Sequence, residues 1–355
     1  MKVIKSLILL ILIGLGTYFV IDKSLENAVI QTMGHKPTKE VKETTVETKS
    51  LPEQIHAITG FEGDLYEWMD KDTNQLKKEL GDPVRKDLSS YGYTWWVYTN
   101  GINQHIQFGI QDGVIVTIFA TGDNLSTEPI AIGQSYEEID KMLDFRREVS
   151  FSNFRFTLSD AELNTRPLSQ IDENKFVEFY FDSFSKRLSS IRILSKDVLL
   201  MQRPYEVYYH GSLPEAPLLT DQEWDKVESG MEKQIFDITN VIRNRFDRSQ
   251  LVWDDSVASV AFGHSKDMAV QNYFSHYTPE GEGLKERLEE GDVIYFAAGE
   301  NIAAQYTDGP AAVEGWLNSE GHRDALLKDD YTHLGVGVYK YYYTQNFLTK
   351  SKFTE

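Results

Sequence analysis

The chain of 355 residues contains no cysteine. That absence excludes disulfides, thiol nucleophiles, thiolate metal sites and the lipidated cysteine of a bacterial lipoprotein, so stability rests on packing alone. Positive charge is in deficit: 36 Lys and Arg against 55 Asp and Glu leave a formal net charge of −19, which repels polyanions and argues against nucleic-acid binding. Neither G-x-S-x-G nor H-E-x-x-H occurs, so two common hydrolase signatures are missing. Hydrophobic residues at 41% and aromatics at 12% exclude wholesale disorder and collagen-like classes, and the length suits two domains plus accessory segments.

What is present begins with an address. Lys2 and Lys5 precede Ser6 to Ile21, an uncharged and mainly apolar run, in the layout of a positive n-region and an h-region. Asp22, Lys23, Ser24 and Leu25 follow with no A-x-A cleavage pattern, which favours an uncleaved single-pass anchor meeting the membrane through residues 3–21, with secretion after cleavage as the alternative. With the lysines held inside, everything after residue 22 lies outside the cytoplasm. Residues 22–58 are rich in Thr, Lys and Glu with almost no large apolar side chain, and read as a flexible linker.

Two passages of one layout come next. Asp72 caps a helix bearing Leu76 and Leu80, and Tyr93–Tyr98, His105–Ile110 and Val114–Ala120 alternate like strands, with Asp112-Gly113 as a hairpin turn. Ser135 and Glu138, at capping-box spacing, open a helix bearing Ile139, Met142 and Leu143, followed by strand-like Phe151–Leu158, Lys175–Phe181 and Ser190–Ser195. A duplicated α+β domain over 59–200 is the resulting expectation. Pro204, Gly211, Pro214 and Pro217 mark a second linker at 201–230. Beyond it, Ile235, Ile238, Ile242 and Phe246 define one helix, and Trp253, Val257, Val260, Ala261, His264 and Met268 a second, capped by Asp254 or Asp255. Pro310 opens a third helix, and Leu334–Phe347 reads as two strands, together an α/β layer domain over 231–349.

Four of the eight histidines fall in this last region. His264 lies on an apolar helical stripe and reads as a satisfied core residue. His276 ends a helix ahead of a Thr-Pro turn and is either a cleft side chain or one favoured by the helix dipole. Glu300, in the small-residue segment AAGENIA, is a carboxylate that wants a partner, or a cap. Glu320 and His322 lie two residues apart where a helix is expected to end at Gly321. Two His and two Glu suit a divalent metal or a carboxylate-oriented imidazole acting as general base, yet spacing alone does not join them.

NYFSH followed by TP, AGENIA, GWLNSEGHR and THLGVGV, in that order, resemble the signature blocks of the CAP superfamily, named for cysteine-rich secretory proteins, antigen 5 and plant pathogenesis-related proteins. LGDPVRKD and YGYTWWVY resemble the domain that accompanies CAP domains in Gram-positive bacterial proteins. The resemblance implies a C-terminal α-β-α sandwich with a cleft holding two histidines and two acidic residues. His276, Glu300 and His322 match three members of that tetrad. For the fourth, the family pattern counted from Trp316 lands on Ser319, whereas Glu320 is chemically the better match; His333 falls outside, as structure at a strand start.

Three functions follow. The first is a membrane-tethered extracellular binding module whose cleft holds a metal ion, a lipid-like ligand or a peptide, with zinc the favoured ion on His276, Glu300, Glu320 and His322. The second is a metal-dependent hydrolase or peptidase at the cell wall with His276, Glu300 and His322 in the chemistry and Glu300 activating water. The third is a non-catalytic scaffold whose N-terminal domain binds a protein, with Trp95, Trp96 and Tyr98 as an aromatic patch, although a core strand also explains them.

Overall fold

Two capped helices open the two halves of the N-terminal region in this computed structural model, which describes residues 38–40, 64–99, 101–123, 125 and 127–350. The anchor read at 1–21 and most of the linker read at 22–58 lie outside the described residues; among these, no helix is long and apolar enough to cross a membrane. Asp72 accepts from the backbone of Asn74 and Gln75 to start Thr73–Leu80, and Ser135 with Glu138 completes a capping box ahead of Tyr136–Leu143. Leu76, Ile139 and Leu143 are buried, but Leu80 and Met142 stay about half exposed. Leu80 is the last helical residue, and Met142 flanks the Ile139–Leu143 stripe.

In chain order the strands are β1 (Thr38–Glu40), β2 (Arg85–Leu88), β3 (Thr94–Thr99), β4 (Gln104–Gln111), β5 (Val114–Gly122), β6 (Glu148–Phe151), β7 (Phe154–Thr157), β8 (Leu168–Gln170), β9 (Lys175–Asp182) and β10 (Arg187–Ser195). A seven-stranded antiparallel sheet runs β2-β3-β4-β5-β10-β9-β8, so the first half supplies one side and the second half the other, meeting where β5 pairs β10. Asp112 and Gly113 both take positive φ, the turn that the right-handed twist of a β4–β5 hairpin favours. Residues 151–158, expected as a single strand, instead straddle a hairpin reversed at Ser152, where φ is 47°. The alternation shifts by one residue at Ser152-Asn153, the two-residue turn, and resumes at Phe154. Strands β6 and β7 leave the large sheet and pair with β11 (Glu206–Tyr209) and β1. Trp95 and Trp96 are buried, so they form core and not an exposed aromatic patch.

The span expected as a linker, 201–230, also needs correction. It carries β11 and the start of the helix Asp221–Arg245, because Thr220 and Glu223 form a capping box that starts the helix well before the Ile235, Ile238, Ile242 stripe. That helix buries Ile235, Ile238 and Ile242 with Leu334, Val336 and Val338 of a four-stranded sheet. The sheet order is β12 (Val252–Trp253), β14 (His333–Tyr339), β15 (Tyr342–Thr349), β13 (Ala297–Ala304). The alternate residues of β14, Gly335 and Gly337, face the helix Asp255–Gln271 so closely that an added Cβ would stand 2.2 Å from the Ala258 nitrogen and 1.9 Å from the Phe262 nitrogen. The result is the α-β-α sandwich that the resemblance implied, with helices on both faces of one sheet.

The two regions share one apolar cluster: Tyr93, Trp95, Phe119 and Phe176 pack in the same body as Ile235, Val313 and Phe347. Polar pairs cross the same boundary, with buried Arg192 donating to Asp308 at 2.7 Å and part-buried Arg85 to Asp237 at 2.9 Å. One continuous core therefore joins the duplicated sheet to the sandwich.

Gly337→Ala should destabilise the protein by about 3 kcal/mol, the upper range for overpacking, because the clash is with helix backbone and no side chain can turn away. Urea unfolding of the variant against the parent measures it; an unchanged midpoint would mean that the helix does not rest on β14 as described.

Candidate functional site

The cleft lies where β13 meets the loop after Asp255–Gln271 and the short helices Leu284–Glu290 and Glu320–Leu326. Asn272 closes Asp255–Gln271 in the left-handed conformation, and the chain then reverses through Tyr273–Ser275 to present His276. Its Nδ1 lies 2.9 Å from Oε1 of Glu300 on β13. The other carboxylate oxygen, Oε2, accepts from Arg287 at 2.6 Å, and the two side chains are only 9% and 4% exposed. Arg287 also donates to the His276 carbonyl at 3.0 Å, tying the loop to the same helix.

Burial pushes the Glu300 carboxyl up, but the His276 hydrogen bond and the charge of Arg287 outweigh it and hold the group below its ordinary value. An ionised Glu300 only accepts, so the bond to His276 is donated from Nδ1–H and the ring's lone pair sits on Nε2. This is a carboxylate-oriented imidazole, one of the two chemistries the residue types suggest. Glu300 itself, with both oxygens engaged, stands behind the imidazole and not in the position of a water-activating base.

His322 completes the pair from the other side: its ring centroid is 6.4 Å from that of His276. The helix expected to end at Gly321 ends at Leu317, and a new one begins at Glu320, so His322 lies in a helix and not on a loop. Ser319 occupies the N-cap position but makes no side-chain cap bond there; its Oγ lies 2.9 Å from His322 Nδ1. Glu320, the other candidate for the fourth place, is exposed. Asn301 on β13 donates to the His322 carbonyl at 3.0 Å and to Gln345 at 3.2 Å, anchoring the helix start to the sheet. Burial, then the neighbouring His276, lower the His322 pKa to about 4.

His264, read as a core residue, is buried, yet it forms the back wall of the site: Nε2 donates to the Ser275 carbonyl at 3.1 Å and stands 4.0 Å from Glu300 Oε1. Burial lowers its pKa to about 4. His333 opens β14 with Nδ1 2.8 Å from Thr332 Oγ1, as expected of structure at a strand start. Arg287 is the residue that the sequence did not disclose; the partner demanded by Glu300 was foreseeable, its identity was not. A groove of about 670 Å³ runs from His276 and Glu300 along Tyr277, Leu284, Tyr295 and Phe296. Beside it, Tyr277, Ile294 and Phe296 expose 54%, 82% and 77% of their surface.

Among the described residues no group of three or more His, Asp or Glu side chains is arranged to hold a metal ion. Of the four expected donors, His276, Glu300, Glu320 and His322, Glu300 is engaged by Arg287 and His276 and Glu320 is exposed, which leaves the two imidazoles facing the cleft. Two imidazoles sharing one tetrahedral ion would have centroids roughly 5 Å apart at ordinary Zn–N distances, so the pair, at 6.4 Å, would have to close by about 1 Å to hold one.

Two families match the chain: one described as CAP-associated N-terminal, over residues 69–205, and one described as cysteine-rich secretory protein family, over residues 236–350. The chain is 47% identical over 290 residues to a Bacillus subtilis (strain 168) protein named "Uncharacterized membrane protein YlbC", covering 81% of this chain and 84% of that one. It is 34% identical over 124 residues to the "Uncharacterized protein YkwD" of the same strain, covering 34% of this chain and 48% of that one. Among solved structures it resembles an extracellular protein containing an SCP domain from Bacillus anthracis strain Ames, with TM-score 0.77, 40% identity and coverage of 86% and 100%. It also resembles a cysteine-rich secretory protein from Staphylococcus aureus Mu50, with TM-score 0.69, 25% identity and coverage of 80% and 94%.

His264 and His322 are neutral in the folded protein down to about pH 4, whereas an unfolded imidazole takes a proton near pH 6.5. Their contribution to stability is thus whole above about pH 6.5 and is lost as pH falls toward 4. The thermal midpoint should fall across that window, and His322→Gln, which removes one of the proton-uptake sites, should flatten the slope. Equal slopes for variant and parent would contradict a neutral His322.

Proposed function

The chain belongs to the cysteine-rich secretory protein family, the CAP superfamily, with a CAP-associated domain ahead of it, and from that premise we propose that it is a membrane-tethered extracellular binding protein. In this reading the N-terminal apolar run anchors it, and the cleft takes a divalent ion, zinc by preference, between His276 and His322. A peptide or lipid-like ligand with apolar groups lies along the adjoining groove. The observation that carries the reading is the pairing of the two imidazoles at 6.4 Å, one of them held in register by a carboxylate that is itself held by Arg287.

When bound, a zinc ion supplies Lewis acidity and an anchor for an oxygen of the ligand. The chain's own residues do the rest. Glu300 keeps the proton of His276 on Nδ1, and Arg287 keeps Glu300 ionised. The Ser319 hydroxyl can either donate to or accept from His322 Nδ1, which lets that ring present a lone pair or an N–H to the cleft. Tyr277, Ile294 and Phe296 offer apolar surface at the rim of the groove. A hydrolase is the second reading, favoured by the Glu300–His276 couple, in which His276 Nε2 and not Glu300 would be the base.

Calorimetric titration of the full chain, purified in detergent and stripped with a chelator, should give one zinc per chain at pH 7. His276→Ala or His322→Ala should abolish binding. Glu300→Gln, which alters only the partner of a ligand, should weaken it roughly tenfold to a hundredfold. Zinc binding that survives both histidine substitutions, or none in the parent, would overturn the metal reading. The same preparation should keep its N-terminus and come from the membrane fraction.

A further inference from the structure

The two arms of the cleft are supported by different parts of the molecule. His276 is held inside the sandwich, through Glu300 on β13 and Arg287. His322 is tied to β13 through Asn301, but not by the sandwich alone. The residues that bracket it and Ser319 are Asn318 and Arg323, and both are bound by the turn that joins β9 to β10 in the N-terminal sheet.

Arg323 donates from both terminal nitrogens to the two oxygens of Asp182, at 2.8 and 3.1 Å, with side chains 13% and 4% exposed. Its guanidinium is stacked between Phe184 of that turn and Phe246 of the sandwich, at 4.7 and 4.8 Å from the ring centroids. At the other end, Asn318 accepts the Ser183 backbone N–H at 2.6 Å and donates to the Phe181 carbonyl at 2.9 Å. Asp182 is itself fixed, since it accepts from the Phe184 backbone at 3.0 Å and from Ser185 Oγ at 2.6 Å. A bidentate, buried arginine pair resists both translation and rotation, and a second clamp five residues away removes the remaining freedom of the segment.

We propose that the β9–β10 turn of the N-terminal domain is a positioning element of the cleft, with Asp182 as the positioning residue that sets His322 through Arg323. The proposal deepens the binding reading above and rests on it for the role of His322. The CAP-associated domain thereby supports one wall of the cleft, and whatever displaces that domain is felt at His322, while His276 stays in place.

The test uses the full chain in detergent with 13C-labelled histidine, and reads the ring signals of His276 and His322 by two-dimensional NMR, assigned with His276→Gln and His322→Gln. Asp182→Asn should move the His322 signal, leave that of His276 in place, and lower zinc affinity roughly tenfold, as loss of an outer partner does. Asp87→Asn is the control, because Asp87 accepts from Arg85 and from Gln234 across the same boundary but away from the cleft. It should leave His322 where it is. An unmoved His322 in a folded Asp182→Asn protein overturns the proposal. So does an equal shift in Asp87→Asn, which would indicate general loosening of the boundary. Should Asp182→Asn not fold, Phe184→Ala, which removes only a half-exposed stacking ring, must move the His322 signal, and no movement overturns the proposal. If the parent binds no zinc, the metal reading fails while the NMR result still decides the role of Asp182.

Discussion

Arg287 and Glu300 meet at 2.6 Å with both side chains nearly excluded from water, and the chemistry of the cleft depends on that ion pair. An isolated carboxylate at such a site would be too costly to keep ionised. With Arg287 against one oxygen and His276 against the other, Glu300 stays charged, and a charged Glu300 dictates which nitrogen of His276 carries the proton. Removing either partner leaves an uncompensated buried charge, a loss of about 3–5 kcal/mol in comparable pairs. The pair is therefore a device for orienting one imidazole, and its net contribution to stability is secondary.

The other imidazole depends on the boundary between the two sheets. Leu334, Val336 and Val338 of β14 share one apolar cluster with Tyr93, just before β3, and Trp95 of β3, so the N-terminal sheet and the sandwich cannot move apart without exposing core. Polar pairs across that boundary, Arg192 with Asp308 and Arg323 with Asp182, give the packing a single register. Glu314 sits there as well, accepting from Ser189 and Ser190 at 3.0 and 2.7 Å, with burial pushing its pKa up to about 7. A cleft with one wall anchored inside the sandwich and the other tied both to β13, through Asn301, and across the boundary, through Arg323, is a consequence of this arrangement.

Much of the architecture was legible in the sequence because it rests on local chemistry. The Asp72 and Ser135 caps, the Asp112-Gly113 turn and the Ile235, Ile238, Ile242 stripe each specify an element within one or two turns. What the residues concealed is non-local. The reversal at Ser152 is marked only by two adjacent polar residues, Ser152-Asn153, between alternating stretches, and the Thr220 capping box starts a helix whose first turns are mostly polar. At the site, His276, Glu300 and His322 were placed by motif resemblance and do face one another, but the roles differ from the four-ligand expectation. Glu320 turns out to solvent since the helix begins at that residue, and Ser319 takes its place beside His322. Arg287 and His264 belong to the site through packing of helices far apart in sequence, which no spacing rule reports.

The central claim is that the cleft converges on His276 and His322 and that Glu300 serves one of them from behind. Crystals of the full chain grown in lipidic or detergent phases with zinc, and measured at the zinc absorption edge, test it most directly. The account predicts a single anomalous peak at the pair His276 and His322, with Glu300 still bonded to Arg287. A peak ligated by Glu300 or Glu320, or one centred away from the histidine pair, would contradict it.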